Sequence, residues 1–267
     1  MRLPEHHQFI FPRYPHLPPP DWPALQARLL AEGYLLEPRG DRVPREALDN
    51  LSHRLARLKA GSFQYRDGLR TTGDVIALYQ SAGHLPPDIP VRHHDTMEET
   101  LALLAAHGVV PDAPLDDEHS SWRGPYSCLG PAARALLTPS QRAHYDADPA
   151  GFSGVMLAYE GPEPYVAAGE NLAVPSLPGA DESLEELQPF GSHVDFIGMA
   201  YEDPAACWRD PADGREYHLF DLDWHYSLAL GFRMIRANCL EEGSAEALAR
   251  AIGQMVDQPM ACSHRHL

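Results

Sequence analysis

Positive charge is scarce in this sequence. Its 267 residues include 21 lysines and arginines against 38 aspartates and glutamates, which gives a formal net charge of −17. A surface of that sign repels the phosphate backbone of DNA and RNA, so direct nucleic-acid binding is disfavoured. The same field attracts a basic protein and speeds its encounter with the chain.

The excess of negative charge lies almost entirely in the second part of the chain. Residues 1–112 carry a net charge of −2, whereas residues 113–267 carry −15. The carboxylates of this part occur in short clusters, which we predict to contact a basic partner: Asp116, Asp117, Glu118, Asp181, Glu182, Glu185, Glu186, Glu202 and Asp203. If the segment around Glu182 is helical, Glu182, Glu185 and Glu186 share one helix face.

Targeting segments and paired cysteines are also missing. No stretch approaches the roughly 18 consecutive apolar residues of a membrane span. The first 20 residues lack the apolar core of a secretory signal. The four cysteines, Cys128, Cys207, Cys239 and Cys262, form no CxxC motif, which is typical of reduced thiols. These features predict a cytoplasmic protein without membrane contact.

The common enzyme signatures do not occur. The sequence has no GxSxG nucleophile elbow and no glycine-rich loop that would hold a phosphate. We therefore assign no catalytic residue and expect no cofactor, and this absence favours an interaction protein over an enzyme.

The pattern of apolar residues predicts an α+β fold. Residues 1–112 read as a helix-rich region, with Asp21 as a helix N-cap and a capping box that starts at Thr96. Residues 121–267 read as an antiparallel sheet with a closing helix over 245–256. Between them, residues 111–121 are either a linker or a long loop, so the two regions form either two domains or one.

Individual strands are predicted from apolar and β-branched runs. They cover 9–11 as an edge strand and then 155–159, 193–201, 216–222 and 227–236. The last of these alternates large and small side chains, which is typical of a strand buried on one face.

Acidic clusters close to aromatic residues indicate protein recognition. In such an interface an aromatic anchor, here Trp208, packs against the partner and supplies binding energy. The surrounding carboxylates supply steering and specificity. In size, acidity and lack of catalytic motifs the chain resembles bacterial immunity proteins of type VI secretion and polymorphic-toxin systems. The resemblance implies a cytoplasmic protein that neutralises a cognate toxin, such as a nuclease with a basic groove.

A metal-dependent enzyme is the alternative interpretation. His193, Asp195 and His225 match the two histidines and one carboxylate that hold Fe(II) on neighbouring strands, and Zn(II) suits similar ligands. This pattern resembles that of oxygenases that use 2-oxoglutarate, in which a later arginine, here Arg233 or Arg236, binds the cosubstrate.

Overall fold

A computed structural model of the chain describes residues 6–58, 68–111 and 120–266. These residues form an α+β fold, as predicted, and they are 38% helix and 20% strand. The α-helices are α1 (Trp22–Ala31), α2 (Arg45–Leu58), α3 (Thr72–Ser81), α4 (Met97–Ala106), α5 (Pro131–Leu136), α6 (Pro139–Ala147), α7 (His193–Glu202) and α8 (Glu242–Val256). The strands are β1 (His6–Pro12), β2 (Trp122–Arg123), β3 (Ser127–Cys128), β4 (Ser153–Ala158), β5 (Tyr165–Ala168), β6 (Cys207–Arg209), β7 (Glu216–His218), β8 (Leu228–Gly231), β9 (Arg233–Ala237) and β10 (Met260–His266).

The main sheet joins the two ends of the chain. Its strand order is β10-β1-β9-β4-β2, with β3 also paired to β4, and every pair is antiparallel. The N-terminal strand β1 therefore lies inside the sheet, where Ile10 pairs with Ile235 on one side and Cys262 on the other. The predicted edge strand over 9–11 exists, but the prediction that it lies at an edge is wrong.

Helices cover both faces of the main sheet. Phe9 and Phe11 of β1 enter one apolar cluster with α2, α3, α4 and α7, whereas Ile10 enters a second cluster with α1, α5, α6 and α8. This alternation follows from the two-residue period of a strand. Each cluster contains residues from both 1–112 and 121–267, so the two predicted regions share their cores.

Local capping explains where several helices begin. Asp21 accepts a hydrogen bond from the Ala24 amide, and Thr96 forms a capping box with Glu99, as predicted. The closing helix begins earlier than residue 245, where its start was predicted. The helix begins at Glu242, and Ser244 is buried within it.

The prediction of a single strand over 227–236 is also wrong. The chain changes sheets at Phe232: β8 pairs with β5 in a small two-stranded sheet, and β9 pairs with β4 and β1 in the main sheet. Leu230 and its neighbour Ala229 are both fully buried, because apolar layers cover both sides of this segment. The predicted strand over 216–222 ends early, at His218, where a 3-10 helix over Leu219–Asp221 follows.

Candidate functional site

The segment that was predicted to be a strand over 193–201 forms helix α7 instead. Ser192 caps it, since its hydroxyl oxygen accepts a hydrogen bond from the Asp195 amide at 3.2 Å. Phe196, Ile197 and Ala200 are buried at helical spacing, and this packing decides the conformation. The β-branched and aromatic residues of the segment therefore gave a misleading strand signal.

The outer face of α7 is exposed and partly apolar. Val194 is 55% exposed and Met199 is 41% exposed, although both are large apolar side chains. At about 100° per residue, the exposed positions span an arc of about 140°. They are Val194, Asp195, Gly198, Met199 and Glu202. A Cβ added at Gly198 would meet nothing within 4 Å, so the centre of this face is flat and open.

An acidic loop lies against α7. Residues 177–192 are anchored by Leu187, which is fully buried, and by Phe190, whose ring stacks on Phe196 of α7 at a centroid distance of 4.8 Å. The carboxylates of this loop, Asp181, Glu182, Glu185 and Glu186, are all exposed. Together with the exposed face of α7 and Asp203, which follows the helix, they form what we call the acidic surface.

The loop is not helical, so the condition for a shared helix face is not met. Ser176 makes β-bridges to Ser183 and Asp223, and the Leu184 amide donates to the Pro175 carbonyl at 2.7 Å. Glu182, Glu185 and Glu186 therefore lie on an extended, folded-back segment and do not share a helix face. All three side chains are exposed.

Few described cations neutralise the acidic surface. No lysine or arginine occurs from Ala143 to Trp208, a run of 66 residues that contains 12 aspartates and glutamates. Within the described part of the chain, no salt bridge involves Asp181, Glu182, Glu185, Glu186 or Glu202. Asp203 accepts a hydrogen bond from the Ala205 amide.

The aromatic anchor predicted at Trp208 is not at the surface. Trp208 is only 2% exposed and packs against Tyr217 at a centroid distance of 5.7 Å. Its indole therefore stabilises the β6–β7 hairpin, and a partner cannot reach it without unfolding. The exposed apolar side chains near the acids are Val194 and Met199. Sequence reasoning missed them because it did not treat this segment as a helix.

The remaining predicted cluster, Asp116, Asp117 and Glu118, lies outside the described residues.

The alternative metal site is not assembled. His193 and Asp195 lie in the first turn of α7, and the carboxylate of Asp195 accepts a hydrogen bond from the Ser192 hydroxyl at 2.6 Å. His225 lies in a turn with φ of 49°, next to Asp223. Across 6–58, 68–111 and 120–266, no three histidine, cysteine, aspartate or glutamate residues are grouped closely enough to hold a metal ion.

The two arginines that were considered for a cosubstrate have other partners. Arg233 pairs with Glu160 at 2.8 Å, and Arg236 is buried and pairs with Glu46 at 2.5 Å. No described contact joins either guanidinium to His193 or His225. The geometry therefore gives no support to the oxygenase pattern.

Comparisons with known proteins identify no relative: family models, curated proteins and solved structures all give no match to this chain. Within the described residues, no helix has both the length and the apolar character needed to cross a membrane.

Proposed function

We propose that this chain is an interaction protein whose acidic surface binds and neutralises a basic protein, as an immunity protein does for a cognate toxin. The observation that carries the proposal is the arrangement around α7. A run of 66 residues without a lysine or arginine includes α7, whose exposed face carries Val194 and Met199 beside Asp195 and Glu202, and the loop before it, whose four carboxylates are also exposed.

The apolar part of this surface supplies binding energy. Protein interfaces gain most of their affinity from a few apolar side chains that lose contact with water, inside a polar rim. Val194 and Met199 already protrude from a folded helix, and the flat position at Gly198 lets a partner's backbone approach. Methionine adapts its shape to a partner because its side chain is unbranched and flexible.

The carboxylates supply the choice of partner. Because they lack ion pairs with described cations, an approaching lysine or arginine does not have to displace an internal partner. A field of one sign raises the rate of association with a basic surface and disfavours acidic competitors. A nuclease needs a basic groove to bind phosphate, so an acidic inhibitor competes for the same cationic side chains.

Co-expression tests this function in cells. The toxin candidate is the product of the larger reading frame next to this one in the source genome, because an immunity gene is expected to adjoin its toxin gene. We expect that expression of this candidate alone stops growth and that the present chain restores it. Replacement of both Val194 and Met199 by aspartate should abolish the rescue, since two added charges in the apolar centre oppose burial.

The matched control replaces Val91 and Val110 by aspartate. Both valines are exposed and lie outside the acidic surface, so rescue should persist. If the Val194 and Met199 variant is folded by circular dichroism and still protects cells fully, the acidic surface is not the binding site.

A further inference from the structure

A cleft of about 760 Å³ opens beside the acidic surface. Pro178 and Gly179, which belong to the same loop as four carboxylates of the acidic surface, form part of its lining. The rest of the lining comes from the segment over 220–226, from α8 and from the ends of β1 and β10. Volumes of this size are typical of sites that bind a drug-sized molecule, so the cleft has more than enough room for one large side chain.

The charges in the cleft do not balance. Four carboxylates line it, Asp221, Asp223, Glu242 and Glu246, against the two guanidinium groups of Arg13 and Arg250. With His225 counted as neutral, the lining therefore carries a formal net charge of −2.

Two of the four carboxylates already have cationic neighbours. Asp221 lies 3.7 Å from Arg13 and also accepts a hydrogen bond from the Tyr14 hydroxyl at 2.9 Å. Glu246 lies 3.7 Å from Arg250, one turn further along α8. These contacts leave Asp223 and Glu242 without a described arginine or lysine partner.

Asp223 and Glu242 keep most of their capacity to accept hydrogen bonds. Asp223 uses one oxygen to accept from the His225 amide at 2.8 Å, and its only described ionic neighbour is the His225 ring at 3.8 Å. Glu242 forms neither a hydrogen bond nor a salt bridge with another described residue. Both side chains are exposed, so a ligand can reach them.

Part of the lining of the cleft is apolar, which strengthens this negative field. Phe11, Leu222, Trp224 and Leu228 contribute buried side chains to its lining. Trp224 donates its indole N–H to the Leu219 carbonyl at 2.7 Å, so the ring is fixed. Charges next to a low-dielectric wall act over a longer range than charges in open water.

Two groups that line the cleft register the same field. Burial and then the nearby carboxylates of Glu246 and Glu242 raise the pKa of the Cys262 thiol to about 12. Burial also raises the pKa of the Tyr226 hydroxyl, with Glu242 and Glu246 contributing. Both groups therefore stay neutral at physiological pH, and the unbalanced charge in the cleft is that of the carboxylates.

We propose that the cleft binds the side chain of an arginine from the basic partner. This inference rests on the proposed function and names the chemistry of one contact within it. Asp223 and Glu242 both line the cleft without a described arginine or lysine partner, and the planar guanidinium offers five N–H donors to carboxylate oxygens. Its weak hydration suits a partly apolar cleft better than does the strongly hydrated ammonium of lysine.

Small probes test this site on the full-length chain without a partner protein. The arginine probe is Nα-acetyl-arginine amide, and the matched neutral probe is Nα-acetyl-citrulline amide, which has nearly the same shape. Nα-acetyl-lysine amide tests the preference for a guanidinium. Binding is followed by nuclear magnetic resonance, from the shifts of the backbone amides of Asp223, Trp224, Tyr226 and Glu242.

We expect the arginine probe to shift these amides in a saturable manner, the lysine probe to bind more weakly and the citrulline probe to leave them unchanged. Glu242→Gln should weaken the arginine probe about tenfold, because a charge-assisted hydrogen bond is lost. Asp223→Asn should add to this effect. Glu182→Gln makes the same change in charge outside the cleft and should have little effect.

The proposal is overturned if the citrulline or lysine probe binds as well as the arginine probe, or if the shifts map elsewhere. It is equally overturned if Glu242→Gln, at an exposed helix position that tolerates the change, leaves binding unaltered. These outcomes are separate from the proposed function, which depends on Val194 and Met199. If rescue requires those residues but the arginine probe does not bind, the cleft proposal is abandoned and the proposed function is kept.

Discussion

Arg236 of β9 and Glu46 of α2, 190 positions apart in the sequence, form an ion pair at 2.5 Å. Arg236 is only 5% exposed, and its guanidinium also donates to the Tyr126 hydroxyl at 2.9 Å. Glu46 in turn accepts hydrogen bonds from the side chains of Asn238 and Ser153. This network attaches α2 to the middle of the main sheet.

Neutralising one partner of this pair should destabilise the fold. Glu46→Gln leaves the buried charge of Arg236 without a counter-ion, and removal of one member of a buried pair is costly. Because Glu46 keeps some contact with water, we expect a loss of about 2 kcal/mol in the free energy of unfolding. Urea denaturation measures this loss.

The control for this variant is the exposed pair of Arg209 and Glu216, also at 2.5 Å. Glu216→Gln should change the free energy of unfolding by less than about 0.5 kcal/mol, because exposed pairs contribute little. Equal effects of Glu46→Gln and Glu216→Gln would show that the buried network does not hold α2 in place.

Asp49 of α2 should favour the folded state more at low pH than at neutral pH, whereas an ion-paired acid does the reverse. Burial raises its pKa to about 6, and nearby Arg45 only partly opposes this rise. The folded chain therefore binds this proton more tightly than the unfolded chain, whose aspartate pKa is about 3.9. The resulting stabilisation is complete below about pH 4 and is lost as the pH rises through 6.

The variant Asp49→Asn isolates this effect. It should be more stable than the parent at pH 7 by about 1 kcal/mol, a value reduced from the full shift because the side chain is partly solvated. The difference should disappear near pH 4. Asp88→Asn, at an exposed position, should show no such trend. A constant gap between pH 4 and 7 for Asp49→Asn would contradict the raised pKa.

The sequence predicts the parts of this fold that depend on contacts between neighbouring residues, but not the parts that depend on contacts between distant residues. Helices with side-chain caps, such as the one that begins after Thr96, and the apolar strand β4 follow from a few neighbouring residues. The position of β1 between β9 and β10 does not, because its partners lie more than 200 residues away. A local pattern contains no information on such pairing.

The candidate site shows the same limit. The sequence places four acids between residues 181 and 186, and the structure exposes Glu182 and Glu186. The sequence alone could not show that α7 is a helix, because Val194, Phe196 and Ile197 fit a strand or a helix equally well. Tertiary packing decides between the two conformations. The burial of Trp208 likewise depends on its contact with Tyr217 across a hairpin.

Helix α7 should depend on its N-cap. Ser192→Ala removes the acceptor for the Asp195 amide and should cost about 1 kcal/mol in the free energy of unfolding. Hydrogen exchange of the α7 amides should also become faster. Ser183→Ala, in the adjacent exposed loop, is the control. Unchanged exchange in Ser192→Ala would show that packing alone fixes the start of the helix.

The rate of association between the chain and its basic partner, measured by stopped flow against sodium chloride concentration, tests the central claim most directly. We predict that the rate falls steeply as salt screens the acidic surface. At low salt, reversal of Glu182, Glu185 and Glu186 to lysine should slow association at least about tenfold. Reversal of Asp41, Asp88 and Glu98, an equal change in net charge on exposed positions elsewhere, should have a much smaller effect. A rate that is independent of salt, or equal slowing by both triple variants, would contradict the account.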